Sequence, residues 1–252
     1  MTANSDLLEA LQLPAASSLG KRVPKKLLLE RGAPTAADKR KIQDGIEAIH
    51  WLSSLKPNNL NIPPLKNERH DYSEIAVLQV ELREKAKIGR LVELIHRAIP
   101  YPVALIATQQ GKALLSLANK RRSEAEADKF VLEQSVDSTG LIDSEQKPIG
   151  YTAFLSDLAT TKQSRTDLHA FYQSWIRRIL ALQTATIKGT YSSEIKDVAN
   201  VREALDSRSE LLEEVASLRA AAKKEKQINR QVELNLEIKR LETALNKQLA
   251  HL

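Results

Sequence analysis

The sequence predicts an α+β fold: a small mixed β-sheet with flanking helices, followed by a helical region and a C-terminal coiled coil. Three observations predict it. Residues 75–82 and 101–107 are short, nearly continuous apolar runs, and they bracket an amphipathic stretch at 87–99. Strand–helix–strand in that order implies a parallel crossover. Gln109-Gln110-Gly111-Lys112 reads as a hairpin turn that returns a further, antiparallel strand at 113–118. Finally, the last 63 residues contain neither glycine nor proline and carry apolar residues at alternating spacings of four and three.

The 252 residues suffice for one large domain or a domain with an appendage. Apolar residues make up 42% and aromatic residues 4%, so aliphatic side chains must fill most of the core. No apolar run approaches the 18 or so residues of a membrane span. The first residues lack the basic start and apolar stretch of a secretory signal. Cysteine is absent, which excludes disulfides, thiolate metal sites and cysteine catalysis. We therefore expect a cytoplasmic protein. The formal charge is +6, and it is shared evenly. Residues 1–150 hold 22 basic and 19 acidic residues, and residues 151–252 hold 16 and 13. Such a balance permits contact with nucleic acid without a basic tail.

Along the chain, residues 7–13 form a first short helix that stops at Pro14. Pro24 disfavours helix at Val23, so an extended entry precedes a short helix. Thr35 is a good N-cap, with Asp38 three residues on. Ile42, Ile46, Ile49 and Leu52 then recur at helical spacing, which predicts one helix running until Pro57 restricts Lys56. A short strand is expected at 60–62. The run at 75–82 suits a strand covered on both faces. Ile88, Leu91, Val92, Ile95 and Ile99 define one helix face before Pro100. A further strand is expected at 129–136, then a polar loop at 138–150. Leu168, Phe171, Trp175, Ile179 and Leu182 form an apolar helical stripe, with Gly189 as its stop.

The tail carries two heptad blocks. Leu211, Val215, Leu218 and Ala222 form the first, and Leu234, Ile238, Leu241 and Leu245, with Leu252, the second. The blocks are out of phase. One long helix with a stutter at residues 223–227 is the first reading, a helical hairpin the second. A continuous helix from Glu194 would span about 90 Å. The expected organisation is a 1–150 α/β core, a 151–190 helical extension and a 191–252 long helix. The heptads dock a partner subunit, a second copy in a homodimer, or the chain's own 168–182 helix.

The residues resemble a known family. The carrying segments are Val23-Pro24-Lys25-Lys26-Leu27-Leu28-Leu29-Glu30, Asp38-Lys39-Arg40-Lys41-Ile42-Gln43-Asp44, Ile49-His50-Trp51-Leu52 and Leu55-Lys56-Pro57. Further along come Glu74-Ile75-Ala76-Val77-Leu78-Gln79-Val80, the stretch from Glu93 through His96-Arg97-Ala98-Ile99-Pro100-Tyr101-Pro102, Leu115 to Arg121, and Phe171-Tyr172-Gln173-Ser174-Trp175. Over roughly residues 7–190 the chain looks like the bacterial domain-of-unknown-function 4391 family. The resemblance implies genes beside helicases and adenine methyltransferases, in loci of restriction or anti-phage type. No established activity comes with it.

Motifs exclude more than they assign. Neither GxxxxGK[ST] nor GxGxxG occurs, so phosphate cradles of those types are absent. No GxSxG elbow occurs. Five histidines, His50, His70, His96, His169 and His251, share no i, i+4 spacing, so a histidine metal site would need remote segments. We expect no cofactor, no metal site and no catalytic residue. The basic clusters are candidate nucleic-acid contacts: Lys25, Lys26 and Arg31; Lys39 and Arg40; and Lys120, Arg121 and Arg122. Lysines at a helix start oppose its dipole unless an anion binds. His96 and Arg97, beside Tyr101, are a candidate recognition patch on the polar side of their helix. Leu211, Val215, Leu218, Leu234, Ile238, Leu241 and Leu245 are the candidate docking residues. The expected role is a non-catalytic accessory subunit that joins a helicase or methyltransferase and touches DNA. The alternatives are a stand-alone DNA-binding module and a metal-dependent nuclease using Asp71, Glu74 or Glu81.

Overall fold

The computed structural model of the chain describes residues 2–126 and 129–248. Helix α1 (Ala3–Leu11) precedes strand β1 (Ser18–Arg22), helix α2 (Lys25–Arg31), helix α3 (Ala36–Gly45) and strand β2 (Ile46–Leu55). A single turn α4 (Pro57–Leu60) and the short strands β3 (Leu65–Lys66) and β4 (Asp71–Tyr72) lead to β5 (Ile75–Leu82). Then come α5 (Ile88–Ala98), β6 (Val103–Gln109), β7 (Lys112–Leu117), β8 (Lys120–Arg122), β9 (Phe130–Leu132) and β10 (Asp137–Ser138). The rest is helical: α6 (Tyr151–Asp157), α7 (Leu168–Lys188), α8 (Val198–Lys224) and α9 (Ile228–Gln248).

Six strands form one mixed sheet in the order β1-β2-β5-β6-β7-β10. The pair β5–β6 is parallel and every other neighbour is antiparallel. Helices cover both faces. Ile75 and Val77 of β5 join one core with α1, α6 and α7, while Ala76, Leu78, Val80 and Leu82 join a second core with α2, α3 and α5. Burial on both faces is why β5 reads as an unbroken apolar run. After β6, Gln110 (φ 49) and Gly111 (φ 77) make the tight turn into β7. Gly189 (φ 80) ends α7 as expected.

The helix expected from Thr35 to Lys56 is two elements. Thr35 does cap α3, accepting from the Asp38 amide at 3.1 Å, a contact that stabilises by about 1 kcal/mol. The helix stops at Gly45, and β2 follows at once. Ile46 and Ile49 lie three apart, which in a regular strand puts them on opposite faces. A register shift between Ile46 and Ala48 brings both into one core. The bulge thereby reproduces a helical spacing in a strand. Pairing with β5 along its whole length outweighs the local signal. The strand expected at 60–62 is instead the end of α4 and an αL residue, Asn61 (φ 55). The strand expected at 129–136 is shorter, and it pairs with β8 in a separate ribbon.

The long C-terminal helix is broken at residues 225–227. Glu225 turns to extended backbone, and its carboxylate accepts from the amides of Lys226 (2.8 Å) and Gln227 (3.0 Å). A side-chain acceptor supplies the turn without glycine or proline. Helices α8 and α9 then run antiparallel, with Arg219 bonded to Glu242 at 2.5 Å and Arg208 donating to the Leu245 carbonyl at 3.3 Å. Val215, Ile238 and Leu245 are buried in the seam, packed by Leu211, Leu218 and Leu241. Leu234 is half-buried. The two apolar blocks face each other across the turn, so they need no common phase. Leu252 and His251 lie outside the described residues.

Candidate nucleic-acid interface

The carboxyl ends of the parallel strands β5 and β6 mark one end of the sheet. The start of β2 and the end of β1 lie at the same end. Three separate segments bring cations there. Arg22 ends β1 and Lys25 opens α2, Arg40 and Lys41 sit in the middle of α3, and Arg83, Lys85 and Lys87 lie between β5 and α5. All but Lys25 are exposed. Lys25 is half-buried and donates to the carbonyls of Ile46 and Gln43, which closes the C-terminus of α3. Arg83 bonds Glu47 at 2.6 Å, and that guanidinium, helped by Lys25 and Arg22, holds the Glu47 carboxyl below its usual range.

The loop that carries Arg83, Lys85 and Lys87 is fixed by its backbone. The Gln109 side-chain amide donates to the carbonyls of Arg83 (2.9 Å), Glu84 (3.1 Å) and Ala86 (2.9 Å). The Arg83 amide donates to the Gly45 carbonyl at 2.8 Å. Arg90 clamps α5 to α3 through a two-pronged bond to Asp38 (3.0 and 2.8 Å) and also bonds Glu93 at 2.8 Å. The Arg90 hydrogen bonds hold the buried Asp38 carboxyl well below the carboxylate range. The cations thus stand on a rigid platform.

The candidate residues do not form one surface. Lys39 and Arg40 share the basic end with Lys25. Lys26 is exposed on α2 and pairs with Glu30 at 3.7 Å. Arg31 lines a different depression, with Arg97, near the C-terminus of α5. Lys120, Arg121 and Arg122 lie at the opposite end of the sheet. Lys120 is not a surface cation. It is 2% exposed and donates to the carbonyls of Ile99 and Tyr101 (2.6 Å). Those carbonyls precede Pro100 and Pro102, which interrupt regular pairing there. Arg122 bonds Asp71 at 3.4 Å and lies 5.2 Å from the Phe130 ring centroid; Arg121 bonds Glu124 at 3.1 Å.

The recognition patch at residues 96–101 is also dispersed. His96 is fully buried, with Nε2 3.0 Å from the Ser116 hydroxyl, and burial pushes its pKa well down. The helix presents His96 to the sheet because Val92, Ile95 and Ile99 extend the apolar face around it. Arg97 stays exposed and bonds Glu93 at 2.7 Å. Tyr101 is exposed and lies 6.1 Å from Trp51.

The carboxylates considered for metal chemistry do not gather. Asp71 and Glu74 stand at the start of β5 and Glu81 near its end, about 20 Å along the strand. Glu74 bonds Ser54 at 2.5 Å and Lys56 at 3.4 Å. Two remote histidines do meet. His70 and His169 stack with centroids 5.4 Å apart, and His70 lies 3.4 Å from Glu133. Burial, with His70 beside it, lowers the His169 pKa. Among the described residues, no group of three or more histidines or carboxylates is arranged to hold a metal ion. No described helix is long and apolar enough to cross a membrane.

Sequence reasoning picks out the cluster at Lys39, Arg40 and Lys41 but misses Arg83, Lys85 and Lys87 as candidate site residues. The available signal was three cations in five residues directly after an apolar strand and before a helix. That position places side chains at the carboxyl edge of a parallel sheet.

The fold and site define a class: a mixed α/β domain with a basic sheet end and an antiparallel helical pair at its C-terminus. The chain belongs to the family described as Domain of unknown function (DUF4391), whose model matches residues 11–245. No curated protein and no solved structure gives a significant match.

Proposed function

We propose that this protein is a non-catalytic accessory subunit of a bacterial DNA-targeting defence or restriction-like complex. It contacts nucleic acid through the basic sheet end. It docks a helicase or methyltransferase through α8 and α9, read as a short coiled coil. One observation carries the reading: cations from three remote segments converge on one rigid sheet end, which phosphate contact requires and chance charge placement does not. On α9, Ile228, Val232 and Leu236 are 75%, 52% and 64% exposed at i, i+4, i+8, away from the seam with α8. That stripe supports docking of a further helix.

The nucleic-acid half is tested by measuring duplex affinity against salt. The logarithm of affinity should fall linearly with that of salt, and Arg22→Glu with Lys39→Glu should flatten the slope by about 2. A slope unchanged by both reversals counts against the interface. The docking half is tested by co-expression with the neighbouring gene products and capture on this chain. Val232→Asp with Leu236→Asp should release the helicase or methyltransferase without unfolding the chain. Capture of neither enzyme by the parent chain sinks the subunit reading and leaves a stand-alone DNA-binding module.

A further inference from the structure

The basic sheet end is not flat. A recess of about 350 Å3 lies between the last turn of α3 and the loop joining β5 to α5. Its walls carry Arg40, Lys41, Arg83, Lys85 and Lys87 against one carboxylate, Asp44. Two of the five are partly engaged: Arg83 with Glu47 at 2.6 Å and Lys41 with Asp38 at 3.6 Å. Gly45 forms part of the wall, where a Cβ would come within 2.6 Å of Leu91 Cδ1. The Gln109 bonds hold the backbone of the loop, so Arg83, Lys85 and Lys87 extend from a fixed segment. The five cations outnumber the neighbouring carboxylates Asp44, Glu47 and Asp38, so an anion at the recess meets a net positive potential. The recess also sits beside the start of α5, where Lys87 caps no amide and the first turn holds no acidic residue.

We propose that this recess binds a phosphoryl group bearing two or more negative charges, such as a terminal phosphate monoester or a pyrophosphate unit. An internal phosphodiester carries a single charge and runs along a convex backbone. A terminal monoester carries about 1.5 to 2 charges at neutral pH and can enter a recess. The inference rests on the nucleic-acid reading above and narrows it to phosphorylated ends; a free nucleotide offers the same chemistry.

The experiment compares three probes on the full chain: a duplex with 5′-phosphates, the same duplex with 5′-hydroxyls, and inorganic pyrophosphate as competitor. The expected result is a preference of about tenfold for the phosphorylated duplex, removed by pyrophosphate. Lys85→Gln with Lys87→Gln should abolish the preference, whereas Arg121→Gln, at the opposite end of the sheet, should keep it. Lys85 and Lys87 are exposed, so the variants should melt with the parent. Equal binding of both duplexes with no effect of pyrophosphate overturns the recess proposal while the general DNA reading stands. Pyrophosphate binding that needs Lys85 and Lys87, without duplex binding, supports the recess and assigns it to free nucleotides, against the DNA reading. No binding of any probe removes both.

Discussion

Lys120 shows how far one residue can depart from its sequence context. It opens a run of three cations, and nothing in composition separates it from Arg121 and Arg122. The signal lay instead in Ile99-Pro100-Tyr101-Pro102, whose carbonyls needed a donor from elsewhere. Burial lowers the Lys120 pKa to about 7, while the unfolded chain keeps the ordinary value of 10.5. Between those values the unfolded chain holds a proton that the folded chain has released. Stability should therefore rise as pH climbs from about 7 towards 10.5, as the cost of the buried charge is relieved. Lys120→Met should remove that rise. It should also lower stability by about 1–3 kcal/mol above pH 9, where two buried carbonyls lose their donor. Urea midpoints at pH 7 and 9.5 check both; an unchanged pH dependence in the variant would show that another group is responsible. His96 was misplaced for a related reason. Its helix carries a wider apolar face than the stripe alone indicates, and a histidine neutralised by burial packs as a polar aromatic.

At the scale of elements, β5 and β6 are legible as unbroken apolar runs, α5 by its helical period and β7 by the turn at Gln110-Gly111. β2 was not, because its bulge makes Ile46 and Ile49 face one way. The α8–α9 turn was hidden because its chemistry is a carboxylate, Glu225, rather than glycine or proline. Of the candidate site, Lys25, Lys39, Arg40 and Lys41 stand out as local clusters in the sequence. Their partners Arg83, Lys85 and Lys87 join them only through the strand order, which the sequence does not state. Packing between elements also sets a test. Gly32 ends α2 against α5, and a Cβ there would stand 2.5 Å from Ala98 Cβ and 2.7 Å from the Leu94 carbonyl oxygen. Gly32→Ala should therefore destabilise by about 1–3 kcal/mol through overpacking. The denaturation midpoint should fall at an unchanged slope; a midpoint equal to the parent's would mean that α2 shifts freely.

Across the whole molecule, one buried ion pair ties the helical pair to the sheet. Arg202 of α8 bonds Asp137 of β10 with two contacts, 3.2 and 2.8 Å, and also bonds Gln134. Burial raises the Asp137 pKa to about 6 against the pull of Arg202. A raised carboxyl keeps its proton longer when folded, so its contribution to stability is lost as pH rises from about 4 to 6. Arg202→Ala removes the opposing charge, pushes that window upward towards neutral pH and leaves Asp137 a buried carboxyl without its partner. A loss of about 3–5 kcal/mol is expected, with much of it restored by adding Asp137→Asn. Thermal or urea unfolding of the two variants at pH 7 decides this. No recovery in the double variant would mean that Arg202 acts by packing alone.

The position of α1 has a consequence for how the chain is made. Its apolar face, Ala3, Leu7 and Leu11, is housed by residues far downstream; Asp6 bonds Lys147 at 2.9 Å, and the Gln12 carbonyl accepts from Thr160 at 3.0 Å. At ordinary rates of translation, roughly 8–30 s separate the emergence of α1 from that of α6. During that interval α1 presents an unsheltered greasy face beside a half-built sheet, whereas α8 and α9 find each other within one short loop. Nascent chains stalled before residue 150 should therefore engage chaperones strongly, and release from them should coincide with the emergence of α6 and α7.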